Sequence, residues 1–435
     1  MYEIIVFLIK IYLYSSSILT FPFKRIFKNE KITNDNFYDN YFDNIIYTKS
    51  YIGTPVTEVN LQIKSKQYTL CLRNDAIYHY YNSSTYIANE KEENIVYNLD
   101  FRCSLKSNET FKLGNEKVNI NNLQFILTAE SKYNSDGILG LKILDNNGEL
   151  WGYNLIPQLK NKKLIKEESF FYIFDENSDN GQLIIGQYPH LIEKYKNIYH
   201  EEQFRKTSVF IPSYDQNFDF KFRSVFWNGA EIESLTVANI EIELGMIKGS
   251  MKFCDKSWDF FAPHFRKRKC TRVDIRVLYE SYICDDYEDF DITKFPSIKF
   301  YINDADYNFE LTYKEIFKKK DGKVFFMIYF NKNGYDTTWS FGNLFLKRNM
   351  LVFDMDKKII GFYNKDIEIN NSSNNHDNIK ITILSVIIII AILVIIGLVA
   401  FIICKFVFGK RQKKPYELDE EYDYTTNNLN SQINE

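Results

Sequence analysis

The stretch Asp136-Gly137-Ile138-Leu139-Gly140-Leu141 decides the fold, because it is the most specific single motif in the chain. N-terminal to it, Val59, Leu61 and Ile63 alternate with polar residues, which is typical of a half-buried strand. Similar short runs occur at 118–127, 181–186, 298–311 and 341–362, whereas helical patterns are few, with 152–164 and 257–267 as the best candidates. No period of 20–50 residues appears, which excludes solenoids and propellers. The pattern predicts a mainly β protein.

The composition is that of a globular chain. Of 435 residues, 45% are apolar and 26% are charged, and the formal net charge is −3. Such a balance excludes a dominant nucleic-acid-binding surface. The six cysteines form no CxxC pair or Cys/His cluster, and the five histidines have no spacing that suggests a metal site or a catalytic triad. We therefore expect no metal, no cofactor and no nucleic-acid partner.

The C-terminal region predicts a membrane anchor. Residues 381–403 carry no charged side chain and would span roughly 35 Å as a helix, which is enough to cross a bilayer. Basic residues follow this run, so the positive-inside rule places the C-terminus in the cytosol. We predict a stalk at 365–380, a transmembrane helix at 381–404 and a cytosolic tail at 405–435.

The N-terminal region predicts entry into the secretory pathway. Residues 1–24 are apolar and then small and polar, which favours a signal peptide or a short N-terminal anchor. Residues 25–46 are then a short pre-domain segment. Together the two ends predict a single-pass type I membrane protein with a lumenal or extracellular ectodomain. The glycosylation triplets at Asn82, Asn108, Asn370 and Asn371 are compatible with that side.

Seven short motifs follow one another along residues 47–364. They are Tyr51-Ile52-Gly53-Thr54-Pro55, Ser83-Ser84-Thr85-Tyr86, Tyr97, the motif at 136–141, Gly181-Gln182-Leu183-Ile184-Ile185-Gly186, Phe295-Pro296-Ser297-Ile298, and Trp339-Ser340-Phe341-Gly342-Asn343 with 352–354 and 360–362. In order and spacing they resemble the pepsin-like aspartic proteases (peptidase A1), with the parasite plasmepsins and the membrane-anchored beta-secretase type nearest in layout. The resemblance implies a bilobal, mainly β fold, with lobes at 47–190 and 191–364 and a cleft between them.

The first catalytic motif departs from the family pattern. An aspartic protease uses two carboxylates about 3 Å apart that share one proton. The resemblance implies an Asp-Thr-Gly loop after the strand at 59–63, but this chain has Lys64-Ser65-Lys66 there. Lys64 would thus replace the first catalytic aspartate. Asp75 is a rival candidate, which would require an insertion and polar residues on a buried strand.

The second motif and the flap are also altered. The stretch 253–263 resembles the second family motif and would make Asp255 the retained aspartate of the pair, with Lys256 and Ser257 in place of Thr and Gly. Tyr97 falls where the family has its flap tyrosine, but Asn98-Leu99-Asp100 follows it without a glycine. A hairpin without glycine at its tip cannot take the same turn over a peptide.

The cysteines fit a secreted ectodomain only in part. Five of them lie on the predicted lumenal side, and an odd number leaves at least one thiol free or intermolecular. The expected pairs are Cys71–Cys103 and Cys270–Cys284.

Two functions remain open at this stage. The first is a catalytically inactive pseudoprotease that binds a protein or peptide ligand in its cleft, with a Lys64–Asp255 pair in place of two carboxylates. The second is an active membrane-anchored aspartic endopeptidase with a divergent active site, in which Asp75 and Asp255 would meet.

Overall fold

The computed structural model describes residues 18–27, 31–42, 45–73, 78–88, 95–97, 101–115, 118–131, 135–143, 153–175, 178, 180–210, 218–333, 337–367, 397 and 399. The chain divides into two compact units, Met1–Ile367 and Glu368–Glu435. The first unit is mainly β, as the sequence predicts, and its elements belong to two large sheets.

The first sheet has fourteen strands in the described part of the chain and begins close to the N-terminus. Its strands are β1 (Leu19–Ile26), β2 (Ile45–Ile52), β3 (Thr57–Lys64), β4 (Leu70–Arg73), β5 (Ile87–Ala88), β6 (Ile95–Tyr97), β7 (Phe101–Leu113), β8 (Val118–Ser131), β9 (Gly137–Gly140), β10 (Ser169–Phe174), β11 (Gly181–Ile185), β12 (Phe204–Ser208), β24 (Leu351–Asp354) and β25 (Ile359–Tyr363). Three of these strands, β12, β24 and β25, come from the predicted second lobe at 191–364. This sheet therefore joins the two predicted lobes.

The second sheet has eleven strands among the described residues. They are β13 (Asp219–Trp227), β14 (Ala230–Ile240), β15 (Ile247–Lys248), β16 (Cys270–Ile275), β17 (Tyr279–Asp285), β18 (Ile298–Ile302), β19 (Tyr307–Leu311), β20 (Phe317–Lys320), β21 (Lys323–Phe326), β22 (Ile328–Asn331) and β23 (Trp339–Phe341). Cys270 and Cys284 face each other across β16 and β17 and form a disulfide, which confirms that predicted pair. The side chain of Cys103 lies outside the described part, so the Cys71–Cys103 pair stays a prediction.

Five α-helices connect or cover the strands that the structure describes. They are α1 (Phe37–Phe42), α2 (Leu155–Asn161), α3 (Met251–Arg266), α4 (Tyr313–Ile316) and α5 (Asn343–Arg348). The predicted helix at 152–164 contains α2. The predicted helix at 257–267 is the C-terminal part of α3, which begins earlier because the Ser250 side chain accepts a hydrogen bond from the Phe253 N–H and caps the first turn.

A crossed three-strand arrangement occurs once in each sheet. In the first sheet β9 lies parallel to β3 and antiparallel to β4. In the second sheet β23 lies parallel to β14 and antiparallel to β15. Because the two arrangements match strand by strand, the chain segments after β3 and β14 occupy corresponding places.

The predicted N-terminal boundary at residue 24 falls within β1. Residues 19–24 belong to β1, which pairs with β11 on one side and with β2 on the other. Phe21 and Phe23 are fully buried, while Pro22 and Lys24 between them are exposed. The end of the apolar run that resembles a signal peptide is thus an alternating strand.

The predicted pre-domain segment also belongs to the folded unit. In α1, the Phe37 ring stacks on Phe325 at a centroid distance of 3.7 Å. The buried Tyr38 hydroxyl donates to the carbonyls of Tyr282 and Phe326 at 2.7 and 3.0 Å. These contacts attach residues 31–42 to the second sheet.

Among the described residues no helix combines the length and apolar character that a membrane span requires. The predicted span at 381–404 lies outside the described residues except at positions 397 and 399. The predicted tail at 405–435 lies outside them entirely.

Candidate functional site

The candidate site is built by the two segments that follow β3 and β14. Lys64 ends β3 opposite Gly140, and its carbonyl accepts a hydrogen bond from the Leu141 N–H at 2.9 Å. In the second sheet Ile240 lies opposite Phe341, so the next residue, Glu241, is level with Gly342. Because Lys64 is level with Gly140 in the first sheet, Glu241 corresponds to Lys64. Lys64-Ser65-Lys66 and Glu241-Ile242-Glu243 are therefore the two equivalent loops, here called the strand-end loops.

The two strand-end loops contact each other directly. The Ser65 hydroxyl donates to Glu243 Oε2 at 2.6 Å, and the Ser65 N–H approaches the same oxygen at 3.3 Å. Lys66 Nζ lies 2.9 Å from Glu241 Oε1. The side chain of Glu241 is only 13% exposed and that of Lys66 is 45% exposed, so this ion pair is partly shielded from water.

A glycine and an arginine support the second loop. The Gly245 N–H donates to the Tyr41 carbonyl at 2.9 Å. A Cβ at position 245 would lie 2.6 Å from that carbonyl and 1.9 Å from Arg25 Nη2, so a side chain cannot fit without displacing the backbone. The buried Arg25 guanidinium lies 4.8 Å from the ring centroids of Phe27 and Tyr41. Thus β1 and α1 both contribute to the surroundings of the loop.

A buried tyrosine lies near Glu243. The pKa of Tyr172 is raised well above its usual value, first because the phenol is buried and second because the carboxylate of Glu243 is close enough to oppose a second negative charge. Tyr172 therefore stays protonated at any physiological pH.

Asp255 is not at the site, and its expected position is wrong. It lies on the second turn of α3 with an exposed side chain, and it does not follow a strand. The physical reason is helical periodicity: Phe253, Cys254, Ser257 and Phe261 form the buried face of α3. The strand that precedes the second loop is β14, so Glu241 stands where the sequence register placed Asp255.

Sequence reasoning missed Glu241 and Glu243. The signal that could have found them is the alternation along β14, in which Glu233, Thr236, Ala238 and Ile240 are buried and the residues between them are more exposed. That alternation ends at Ile240, as the run at 59–63 ends before Lys64. Alignment of the end of β14 with the end of β3 would have placed Glu241 opposite Lys64 in the sequence and so identified the second loop.

The other predicted site residues are only partly described. Tyr97 ends β6 opposite Phe101 of β7, so it lies at the end of a hairpin strand, and its side chain is outside the described part. Residues 98–100 and the rival Asp75 lie outside the described residues. Among the residues that the structure describes, no group of three His, Cys, Asp or Glu side chains could hold a metal ion.

The site lacks the chemistry of a carboxylate pair. One equivalent position carries the ammonium side chain of Lys64 and the other carries the carboxylate of Glu241. The third position of each loop carries a long charged side chain, Lys66 or Glu243, and each of these contacts the opposite loop.

A comparison with models of protein families identifies the family of this chain. A family model described as eukaryotic aspartyl protease matches residues 54–365, which is well over half of the chain. No curated protein matches the chain. The matched range runs from the turn after β2 to the residues after β25, so it includes both strand-end loops.

Proposed function

Since the chain belongs to the eukaryotic aspartyl protease family, we propose that it is a catalytically inactive member, a pseudoprotease, that binds a protein or peptide ligand between its lobes. The observation that carries this proposal is the pair of residues at the equivalent strand ends, Lys64 and Glu241. A lysine at one of these positions and a glutamate at the other cannot share one proton between two carboxylates, which is the state that the family's chemistry needs.

The third loop positions support the same proposal. The resemblance implies glycine there, because the backbone must come close to the catalytic carboxylates. Here Lys66 pairs with Glu241, and Glu243 accepts hydrogen bonds from Ser65. These side chains occupy the space between the loops and tie them together. The rival proposal of an active enzyme needed Asp75 and Asp255 to meet, and the position of Asp255 on α3 gives it no support.

The ligand-binding part of the proposal rests on what the family fold retains. Its two sheets and the β6–β7 hairpin are present, and the resemblance places a flap tyrosine at Tyr97. We further propose that the chain is anchored as a type I membrane protein by the apolar run at 381–403. Both statements go beyond the family membership itself.

The activity arm of the test uses the full-length protein and a mixed peptide substrate across acid and neutral pH. We expect no pepstatin-sensitive cleavage by the unmodified protein. To test whether protease activity can be restored, one variant combines Lys64→Asp, Lys66→Gly, Glu241→Asp and Glu243→Gly. Asp255→Ala is the control and should not change activity. Pepstatin-sensitive cleavage by the unmodified protein that Glu241→Gln abolishes would refute the proposal.

The binding arm uses peptides selected from a display library on the immobilised protein. Affinity for those peptides should fall about five- to thirtyfold in Tyr97→Ala, since an aromatic contact to a ligand is worth on the order of 1–2 kcal/mol. Tyr301→Ala is the matched control, because Tyr301 lies on β18 in the second sheet and its hydroxyl donates to Asp306 Oδ1 at 3.1 Å. Equal loss in both variants would contradict binding at the cleft.

A further inference from the structure

A small cavity lies beside the end of β25, away from the strand-end loops. Its volume is about 270 Å³. Its lining combines aromatic side chains with two cations, and among the described residues no carboxylate lines it. The main lining residues are Tyr307, Phe309, Phe362, Tyr363, Arg348 and Lys365.

The aromatic wall of the cavity is held in place by ring contacts. Tyr307 stacks on Phe362 at a centroid distance of 5.0 Å, and Phe309 meets the same ring edge-on at 4.9 Å. Tyr363 is nearly buried, and its hydroxyl lies 2.8 Å from His190 Nδ1. Phe309 and Phe362 are each only 1% exposed, so among these three rings the half-buried Tyr307 is the one that a ligand can contact.

The guanidinium at the cavity is also oriented. Arg348 Nη1 donates to Glu315 Oε1 at 3.0 Å. The other oxygen of Glu315 accepts hydrogen bonds from the N–H and the hydroxyl of Thr312, each at 2.8 Å, in a capping box at the start of α4. Because Glu315 is itself fixed, it holds one edge of the Arg348 guanidinium in a defined direction.

The second cation is available for a ligand. Lys365 is exposed and forms no ion pair with any residue that the structure describes. Besides Glu315, which pairs with Arg348, a second acid is close: the pKa of Tyr307 is raised by burial and then by Asp366, while Arg348 opposes the rise. Asp366 does not line the cavity, so it weakens the positive field there without filling the space.

We propose that this cavity binds a small organic phosphate, with the phosphoryl group between Arg348 and Lys365 and the rest of the molecule against the Tyr307 ring. A phosphate monoester carries close to two negative charges at neutral pH and is well matched by an arginine together with a lysine. The volume is too large for a bare carboxylate and is near the lower end for small-molecule sites.

Two kinds of molecule carry a phosphate group that fits this cavity. One is a soluble phosphate ester. The other is a lipid headgroup, because the apolar run at 381 follows Ile367 within a reach of roughly 45 Å of extended chain. The proposal concerns the phosphate and is independent of the proposed pseudoprotease function.

The test uses the full-length protein in neutral detergent micelles. Phenyl phosphate is the soluble probe and a short-chain phosphatidic acid is the lipid probe, and dissociation constants come from calorimetry. Arg348→Gln and Lys365→Gln should each weaken binding about tenfold, since each removes a charge-assisted hydrogen bond. Lys294→Gln is the matched control, because this lysine is exposed and does not line the cavity. Asp366→Asn should tighten binding.

The outcomes are separable. The probe that binds more tightly shows whether the natural ligand is a soluble phosphate ester or a lipid. Binding of either probe supports the site if Lys365→Gln weakens that binding. Lys365 makes no ion pair in the described structure, so this variant is expected to fold even if Arg348→Gln does not. Absence of binding by both probes, or equal weakening in Lys294→Gln, would overturn the proposal.

Discussion

At the scale of single residues, Glu233 shows how a carboxyl group is accommodated inside the second sheet. It is only 4% exposed. Its Oε2 accepts a hydrogen bond from Trp339 Nε1 at 3.1 Å, and its Oε1 accepts one from the Ser250 hydroxyl. Burial raises the pKa of Glu233 above its usual value, and these hydrogen bonds offset the rise only in part. The folded chain therefore holds a proton on Glu233 more readily than the unfolded chain does.

This raised pKa predicts a pH-dependent stability difference. The contribution is fully present below the unfolded value near 4.5 and is lost as the pH rises through the folded value. Glu233→Gln does not titrate, so the stability of the unmodified protein relative to this variant should fall between about pH 4 and about pH 7. Urea denaturation at both pH values measures it. Glu231→Gln, an exposed position on the same strand, is the control, and a difference independent of pH would contradict the prediction.

The Lys66–Glu241 ion pair is a second feature at the scale of single residues, and it joins the two strand-end loops. Since Lys66 is almost half exposed, we expect a coupling energy of about 1 kcal/mol or less in a double-mutant cycle with Lys66→Met and Glu241→Gln. The matched control is Lys49–Glu58, an ion pair 2.5 Å long in which both side chains are more exposed. Its coupling should be smaller. A larger coupling at Lys49–Glu58 would show that burial between the loops adds nothing.

At the scale of elements, β1 determines where the mature chain can begin. Removal of β1 would expose the edges of β2 and β11 and leave a gap where Phe21 and Phe23 pack. We therefore expect the N-terminus of the protein isolated from cells to lie at or before Leu19, as measured by N-terminal sequencing. A mature N-terminus beyond Ile26 would contradict this expectation.

A substitution pair tests the same strand by stability. Phe23→Ala should lower the free energy of unfolding by about 3–5 kcal/mol, because it removes a large side chain from a closed core. Lys24→Ala, at the neighbouring exposed position, should change it by less than about 0.5 kcal/mol. Similar effects in both variants would mean that β1 is not part of the stable fold.

At the scale of the whole molecule, the prediction concerns topology. The uncharged run at 381–403 and the basic residues after it favour a lumenal ectodomain and a short cytosolic tail. Added protease should remove only the tail from intact vesicles and should degrade the ectodomain after detergent is added. Digestion of the ectodomain in intact vesicles would contradict this topology.

Much of the fold was predictable because its signals are local. Glycine-bounded apolar runs and strand alternation indicate a mainly β chain, and the order of the seven motifs indicates the family whose model matches residues 54–365. The Cys270–Cys284 pair was also predictable, since the two residues are only 14 apart in sequence. The N-terminal strand was not, because its alternating apolar residues have the same composition as the end of a leader segment.

What the sequence by itself determined is the family and the β character, since each depends on residues close together in the chain, while the replacement of an aspartate by Lys64 stays a prediction. Only the tertiary structure decided which residue faces that lysine's loop. Ser65 and Glu243 are 178 positions apart and meet at 2.6 Å because β3 and β14 each run parallel to a glycine-bounded strand in separate sheets. That strand pairing places Glu241, and not Asp255, at the position equivalent to Lys64. The only local pattern that argued against Asp255 was the helical spacing of its buried neighbours.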